Sequence, residues 1–469
     1  MTAAVVGSGP NGLAAAITLA EAGVDTEVFE QASSPGGACH SERLIFDDCL
    51  HDVCASVLPL AAASPAFRRM RLNVDWLHSR AVLAHPLDNE PAVLLYRSLD
   101  DTARNLGRDA AAYRRLFSPL VEHHEELLDA ILRPLSWPEH PFEFARFGVP
   151  ALMPLTWLNR ALFREERTRA LLAGLAAHSV VPLTIAAASS TALVLAMLGH
   201  AVGWPIVRGG SQRLTDELVV RLHDSGGQIH LGHPVTKLGD LAERQAVLFD
   251  TSPRAMVSIA GDALPAKFHT RMKRFHRGPG LFKLDWVLDG PIPWADSRCA
   301  EAITVHIGGI EPEIAESENL VWRGAPVERP FVILAQPSIV DPSRAPANRH
   351  IVWGYCHVPN GSAVDMTGEI ERQIERFAPG FRDRIVERFV TPPSALEARN
   401  PNLVGGDISG GAQTLGQLFA RPYLARDPYR TPNPHLFLAS SSTPPGGGVH
   451  GMCGYNAARS ALKSALAVG

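Results

Sequence analysis

A glycine-rich turn seven residues from the start of the chain constrains its fold more than any other feature. Gly7, Gly9 and Gly12 have the GxGxxG spacing and lie between an apolar run at 3–6 and an alanine-rich run at 13–22. In a strand–turn–helix unit the first glycine permits the tight turn and the second lets a pyrophosphate approach the backbone. The third allows close packing of the helix on the strand. The pattern therefore predicts a dinucleotide-binding βαβ unit.

The polarity of that unit indicates how it would hold its ligand. A helix N-terminus attracts phosphate, because its free amide groups and the helix dipole favour negative charge. A second predicted strand, 26–29, ends in Glu30, whose carboxylate can accept a hydrogen bond from a ribose hydroxyl. The residues of this unit predicted to bind the dinucleotide are Gly7, Gly9, Pro10, Asn11, Gly12, Glu30 and Gln31.

Two further glycine-rich stretches indicate which dinucleotide is bound. One follows Glu30 within a few residues, and the other is the loop 446–454, which leads from the apolar run 436–439 into a helix predicted from about Tyr455. Bare backbone ahead of a helix N-terminus suits the negative charge of a reduced flavin. Glycine-rich stretches of this kind at opposite ends of one chain predict an FAD site that is built from separate segments. The further residues predicted to bind the cofactor are Gly36, Gly37, Ala38, Gly447, Gly448, Val449 and Gly451.

Five stretches carry a resemblance to a known family. They are residues 5–23, 30–38, 50–60, 209–235 and 442–458, which together sample nearly the whole chain. On these motifs the chain resembles the phytoene desaturase/amine oxidase superfamily of flavoproteins, and most of all its phytoene-dehydrogenase-like branch.

The resemblance implies an α/β protein with non-covalently bound FAD. The expected fold is a discontinuous, Rossmann-like FAD-binding domain of the glutathione-reductase type with an inserted α+β substrate domain. By the same resemblance, backbone groups at Val235 meet the adenine. Ala38 departs from the family pattern, because many relatives have arginine there, and Arg43 is one candidate to replace that contact.

The motifs described above divide the chain into five segments. The FAD-binding domain is expected to comprise 1–75, 205–265 and 425–469. The substrate domain is expected to comprise a helical part, 76–204, and a strand-rich part, 266–424. Within these segments the apolar spacing predicts helices at 101–106, 109–132, 164–177, 186–200 and 211–223. Strands are predicted at 228–231, 235–238, 246–250, 280–288, 303–307, 331–336 and 350–357.

Lys283 and His450 are the candidate catalytic residues. Lys283 lies in the strand 280–288, which resembles the amine oxidase strand whose lysine holds a water against flavin N5. Alternation along that strand sets Lys283 and Asp285 on one face, and the alternative is a surface lysine paired with Asp285. His450, inside the C-terminal glycine loop, is a candidate flavin neighbour, or else serves packing or tuning of the redox potential. His51 either moves protons or is structural.

The leading functional hypothesis is an FAD-dependent oxidoreductase that desaturates or saturates C–C bonds of an apolar, polyene- or lipid-like substrate. It draws on the segment 170–207, which contains no Asp, Glu, Lys or Arg and is interpreted as buried helices lining an apolar cavity. Alternatives are a redox-neutral flavin-dependent isomerase, an amine oxidase and a lipid-escort protein without redox chemistry. The electron acceptor (oxygen, a quinone or another protein) is left open, and a peripheral membrane contact is one alternative.

Composition excludes other classes. The net charge of −4 does not suggest nucleic-acid binding, and no metal site is predicted. Six scattered cysteines do not suggest a disulfide framework. Cys49 and Cys54 have the CxxxxC spacing of flavin disulfide reductases, but they lie too far beyond Gly37, and a pair of partly buried thiols is expected. A cytoplasmic location is expected because the chain opens directly into a predicted strand.

Overall fold

A computed structural model describes residues 1–134 and 137–467 of the chain. Two β-sheets organise this part of the protein. One is five-stranded and carries the glycine-rich turn, and the other is seven-stranded. Two short antiparallel pairs are separate from both sheets, Ser41–Glu42 with His51–Asp52 and Trp76–Leu77 with Ile206–Val207.

The five-stranded sheet is parallel throughout. It draws its strands from the beginning, the middle and the end of the chain, so that these distant segments share one hydrogen-bonded layer. Its strands, in spatial order, are Leu436–Leu438, Ala246–Phe249, Thr2–Val6, Asp25–Phe29 and Gln228–His230. The central strands are apolar on both faces, as expected where helices cover both sides of a parallel sheet.

The seven-stranded sheet is antiparallel except where Ala81–His85 pairs in parallel with Ala302–Ile307. Its strands, in spatial order, are Ile385–Thr391, Gly280–Leu288, His350–Val358, Val332–Ala335, Ala302–Ile307, Ala81–His85 and Val93–Leu95. One face packs into an apolar cluster that includes Phe282, Leu284 and Trp286. The opposite face of the sheet contributes side chains to the candidate active site.

Helices surround both sheets. The longer ones are Pro10–Glu21, Ala110–Glu122, His124–Ile131, Pro141–Ala151, Leu155–Leu162, Glu166–Ala177, Ser189–Ala201, Gln212–Asp224, Pro253–Ala260, Ala266–Lys273, Glu311–Trp322, Thr367–Phe377 and Met452–Leu462. Shorter helices are Pro59–Ala62, Pro65–Met70, Leu99–Arg104, Pro393–Arg399 and Leu415–Phe419. Among the described residues, none of the helices combines the length and the apolar character needed to cross a membrane.

Several strands differ from the sequence-based expectation. The predicted strand 235–238 is wrong, because this stretch is a loop between the strand Gln228–His230 and a 3₁₀ turn. The region 76–204 is not helical throughout, since Ala81–His85 and Val93–Leu95 join the seven-stranded sheet. The strand Ile385–Thr391 was missed because it lies at an edge of the sheet and alternates only weakly between buried and exposed residues.

The helices differ in several places as well. The single helix predicted over 109–132 is two, with a break at His123, where the backbone leaves helical geometry after the internal Pro119. Helices Pro141–Ala151 and Leu155–Leu162 were not predicted. The first of these contains Gly148 and Pro150, residues of low helix propensity, and its stability comes from packing against neighbouring helices.

Candidate active site

The glycine turn has the compact geometry that its spacing implies. Gly7 adopts φ +100°, a conformation that side chains disfavour, and its N–H donates to the Phe29 carbonyl. A Cβ at Gly12 would lie 2.0 Å from the Gly7 carbonyl oxygen, so the helix can approach the strand this closely only without a side chain. Gly9 is the N-cap of the helix, and Pro10 occupies its first turn.

Glu30 stands at the end of the second strand, as predicted, and already holds the turn together. Its Oε2 accepts hydrogen bonds from the N–H and the hydroxyl of Ser8, both at 2.8 Å, and Oε1 accepts from the Ala32 N–H at 2.9 Å. A carboxylate has about four lone-pair positions, so Glu30 retains capacity for a ribose hydroxyl.

The two ends of the chain meet at this turn. A Cβ at Gly454 would lie 1.7 Å from the Asn11 carbonyl oxygen, and one at Gly451 would lie 2.9 Å from the Ala14 methyl. The helices Pro10–Glu21 and Met452–Leu462 therefore cross with their backbones almost touching. The second glycine pair joins them, because a Cβ at Gly37 would lie 3.3 Å from the Gly9 Cα. The glycine-rich stretches form one continuous backbone surface.

A single cavity of about 720 Å³ runs along this surface and continues to the seven-stranded sheet. The predicted site residues that line it are Gly7, Gly9, Pro10, Asn11, Glu30, Gln31, Gly37, Ala38, Val235, Lys283, Gly448 and Val449. We call the part between the glycine-rich stretches the groove, and the part against the seven-stranded sheet the chamber. The chamber is lined by Lys283, Thr304, Ile333, Trp353, Tyr355 and, from the helical side, His178, Leu195 and Trp204.

Five predicted residues stand behind the cavity wall instead of lining it: Gly12, Gly36, Gly447, Gly451 and His450. The glycines among them permit close backbone packing; a Cβ at Gly36 would lie 2.6 Å from the Cys39 carbonyl oxygen, and one at Gly447 would lie 2.9 Å from the Ser409 carbonyl oxygen. His450 is 1 % exposed, and its Nδ1 accepts the Met452 N–H at 3.0 Å. Burial lowers the pKa of His450 to about 4, so its imidazole is neutral at pH 7.

Lys283 is a buried residue with a buried partner. It is 2 % exposed, and its Nζ donates a hydrogen bond to Oδ2 of Asp285, which is fully buried. Asp285 Oδ1 lies 3.3 Å from Nδ1 of His51, which is also fully buried but does not line the cavity. Lys283 Nζ also lies 5.8 Å from the centre of the Trp353 ring. The pair with Asp285 is therefore present, but it stands at the chamber wall and not on the protein surface.

Asp250 is a groove residue that the sequence reasoning missed. It follows the strand Ala246–Phe249, and its Oδ2 accepts the Gly12 N–H at 2.8 Å. Burial raises the pKa of Asp250 to about 7, the Gly12 hydrogen bond opposes this shift, and the charge of Glu30 adds to it. The available indication was its position directly after a parallel strand of the sheet, where ligand-binding residues concentrate.

Arg399 and Arg344 were also missed. Arg399 lines the groove and forms an ion pair with Glu42. Arg43, the predicted substitute for a cofactor-contacting arginine, instead donates to the Asp47 carbonyl and does not line the cavity. Arg344 is completely buried, and no sequence pattern indicated it.

Arg344 holds three segments together beneath the chamber. It donates from Nη1 to Asp52 at 2.6 Å, from Nε to Asp341 at 3.0 Å, and from Nη2 to the Val207 carbonyl at 3.1 Å. The Arg344 charge and hydrogen bonds from Ser211, Ser56 and Ser41 outweigh desolvation and lower the pKa of Asp52. This cluster stabilises the segment that contains His51 and Asp52, and with it the adjoining chamber wall.

The remaining predicted features have structural explanations. Cys49 and Cys54 are free thiols, and burial raises the pKa of Cys54, which lines the cavity, to about 11. In the motif 405–412, Asp407 accepts the backbone N–H groups of Gly278 and Ser409, both at 2.9 Å. In residues 1–134 and 137–467, no cluster of three or more His, Cys, Asp or Glu side chains is placed to hold a metal ion.

Comparison with known proteins agrees with this geometry. The family described as an NAD(P)-binding Rossmann-like domain matches residues 5–71. Pyridine nucleotide-disulfide oxidoreductase domain-containing protein 2 from Rattus norvegicus is 26 % identical, over 97 % of this chain and 92 % of its own length. Phytoene dehydrogenase from Streptomyces griseus is 24 % identical, over 95 % of this chain and 91 % of its own length. The chain fits the phytoene desaturase/amine oxidase superfamily of flavoproteins.

Solved structures show that the fold is shared as well. A Methanosarcina mazei oxidoreductase superimposes with a TM-score of 0.66 at 16 % identity, covering 99 % of this chain and 100 % of that one. A putrescine oxidase variant has a TM-score of 0.64 at 16 % identity, with the same coverage. The fold of this chain is therefore that of the Methanosarcina mazei oxidoreductase and of putrescine oxidase, and its curated relatives include oxidoreductases of the phytoene desaturase type.

The residues of the groove fit FAD. A side chain at Gly9 would meet Asp250 Oδ2 at 2.7 Å and one at Gly37 would meet the Gly9 backbone, so this surface is shaped for a ligand that contacts bare backbone. The N-terminus of the helix Pro10–Glu21 would face the pyrophosphate, and Glu30 the ribose. Val235, in its loop, lines the same groove, where the resemblance places the adenine.

Proposed function

We propose that the protein desaturates or saturates a C–C bond of an apolar, polyene- or lipid-like molecule held in the chamber. The observation that carries this proposal is the continuity of the cavity, which leads from the glycine-lined groove to a wall of apolar side chains with one buried ammonium group. Leu195, Trp204, Leu281 and Ile333 contribute apolar surface to this wall. FAD, when bound, supplies the acceptance or donation of a hydride, with two electrons exchanged with oxygen, a quinone or another protein.

The residues of the chamber perform the remaining tasks. Apolar side chains exclude water and orient a hydrocarbon skeleton, which strengthens electrostatic interactions inside the chamber. Lys283 Nζ holds a proton at the chamber wall, and Asp285 behind it keeps that group in place, with His51 Nδ1 3.3 Å from the other Asp285 oxygen. Because Asp285 already pairs with Lys283, its carboxylate is not available to the ammonium group of an amine, and this favours a neutral substrate.

The activity is tested with the purified, FAD-loaded protein. After anaerobic photoreduction, C15 to C40 isoprenoids and polyene lipids are added one at a time, and the flavin absorbance is recorded. Saturation of a double bond predicts reoxidation by an unsaturated member, and desaturation predicts bleaching of the oxidised protein by a more saturated one. Conversion of a polyene to its isomer with no net flavin change would overturn the proposal in favour of an isomerase.

Lys283→Met tests the part assigned to this residue. We expect FAD to remain bound while reduction or reoxidation slows by about tenfold or more, because a positioned proton donor or acceptor contributes at least that much. The matched control is Lys267→Met, at an exposed position of the helix Ala266–Lys273. Both variants are compared by stopped-flow absorbance of the flavin. Unchanged rates of both half-reactions in Lys283→Met would leave this lysine with a structural role only.

A further inference from the structure

Two polar atoms in the chamber wall lack partners within the protein. Thr304 is 2 % exposed and Trp353 is 5 % exposed, and both line the cavity. Within residues 1–134 and 137–467, neither Thr304 Oγ1 nor Trp353 Nε1 has a hydrogen-bond partner. Buried polar groups of folded proteins nearly always have a hydrogen-bond partner. We therefore expect each of these atoms to bond a group that enters the cavity.

The other buried tryptophans show that the indole of Trp353 is an exception. Trp204, Trp286 and Trp294 are also buried, and the indole N–H of each donates a hydrogen bond. Their acceptors are the Leu195 carbonyl at 3.1 Å, Glu371 at 3.1 Å and Gln336 at 3.3 Å, respectively. The fold thus provides an acceptor for the indole N–H of each of these three tryptophans.

The two unpaired atoms belong to one row of the seven-stranded sheet. Thr304 is paired in register with Ala335, and Ala335 with Trp353, which sets the two residues about 10 Å apart on the same face. Ala335, between them, is a small residue in the same apolar cluster as Trp353. The row therefore presents a hydroxyl and an indole N–H on either side of a small apolar residue.

A histidine from the helical side faces the same end of the chamber. His178 lines the cavity, and its Nε2 lies 2.8 Å from Nε2 of His306, two residues beyond Thr304 on the same strand. Burial lowers the pKa of His178 to about 3, so this pair is neutral at physiological pH. The nearby charge of Lys283 is already balanced by Asp285. This end of the chamber therefore suits an uncharged polar group better than an ionised one.

We propose that the substrate carries an uncharged oxygen group, a hydroxyl or a carbonyl, which hydrogen-bonds within the row of Thr304 and Trp353 while its hydrocarbon part fills the rest of the chamber. This inference rests on the proposed function, because it specifies the substrate class of the same chamber. A pure hydrocarbon would cover the unpaired hydroxyl and indole without bonding them. A site built to bond such a group rejects an analogue that lacks it.

The test compares C15 isoprenoids that differ in oxygen content. Farnesol, farnesal and the hydrocarbon β-farnesene are titrated separately into the FAD-loaded protein. Binding is followed by perturbation of the flavin absorption and of tryptophan fluorescence, so no turnover is needed. We expect farnesol or farnesal to bind at least about tenfold more tightly than β-farnesene, since one good hydrogen bond to a buried group contributes about that factor.

Variants connect the preference to the named atoms. Thr304→Val removes the hydroxyl at nearly constant shape, and Trp353→Phe removes the indole N–H; each should reduce the preference for the oxygenated ligand severalfold. Thr304→Ser restores a hydroxyl and should restore the preference. Ile333→Val, at an apolar position of the same wall, is the matched control and should weaken all three ligands alike.

The outcomes separate this inference from the proposed function. Equal or tighter binding of β-farnesene, or a preference that Thr304→Val and Trp353→Phe leave unchanged, would overturn the inference, while flavin turnover with hydrocarbons would leave the proposed function standing. Selective binding of the oxygenated ligands without any flavin turnover across the isoprenoid panel would support the inference and overturn the proposed function. Binding of none of the three would overturn the inference.

Discussion

The groove and the chamber belong to one cavity, but backbone forms the surface of the groove and side chains form the surface of the chamber. The groove is made of backbone, because Gly7, Gly9 and Gly37 bring bare main chain to its surface. The chamber is made of side chains that project from one face of an antiparallel sheet, among them Lys283 and Trp353. A ligand common to a superfamily can thus be held by main-chain amides, whereas the individual substrate must be chosen by side chains.

The largest expected effect comes from adding a side chain to the groove. Gly9→Val places its Cβ 2.7 Å from Asp250 Oδ2 and closes the backbone to a pyrophosphate. We expect at least about a 100-fold loss of FAD affinity, because close approach and amide hydrogen bonds are lost together. FAD content after gel filtration measures the effect, with circular dichroism as the check on folding.

The matched control for this change is Gly416→Val. A Cβ at Gly416 meets no atom within 4 Å, so normal FAD content is expected. A folded Gly9→Val protein with a full complement of FAD would show that the groove is not the cofactor site, and the contrast between groove and chamber would fail with it.

The next effect concerns the cluster that Arg344 forms beneath the chamber. Arg344→Met leaves the carboxylates of Asp52 and Asp341 buried without their cation. We expect the free energy of unfolding to fall by about 3–5 kcal/mol, the usual effect of removing one partner from a buried ion pair. Urea denaturation measures this change. Arg68→Met, which removes an exposed pair with Glu125, should change it by about 1 kcal/mol or less, and similar values for both would contradict the role given to Arg344.

The smallest expected effect is a pH dependence confined to the groove. Asp250 has a pKa of about 7 in the folded chain, above the ordinary value of 3.8, so it is protonated below pH 7 and charged above it. The anionic pyrophosphate should bind better beside the neutral acid, and FAD affinity should fall roughly tenfold from pH 6 to pH 8, following the protonated fraction. In the apoprotein the same raised pKa means that stability declines as the pH rises from 4 toward 7, because the folded state then holds the extra proton.

Asp250→Asn tests this assignment, since it should remove the pH dependence of the FAD dissociation constant measured by flavin fluorescence. Asp224→Asn, at the exposed end of the helix Gln212–Asp224, should preserve it. A dissociation constant that is flat from pH 6 to pH 8 in the unaltered protein would show that Asp250 does not face the phosphates.

Sequence reasoning anticipated local features better than contacts between distant segments of the chain. The strand 280–288 and the division between Phe282, Leu284 and Trp286 on one face and Lys283 and Asp285 on the other agree with the structure, because alternation is a local property. Asp250 and Arg399 were missed because their neighbours in space are more than 100 residues away in the chain. Val235 was assigned to a strand but lies in a loop, since a short apolar run reads alike in either setting.

The βαβ unit, the second glycine-rich loop and therefore the class of cofactor follow from the residues alone, because steric access to backbone is a property of the glycines themselves. Which polar atoms of the chamber are left without a partner depends instead on how the folded segments come together. Pairing of a buried donor such as the Trp353 indole depends on strand register and on side chains from distant segments. Neither can be read from the residues on either side of it.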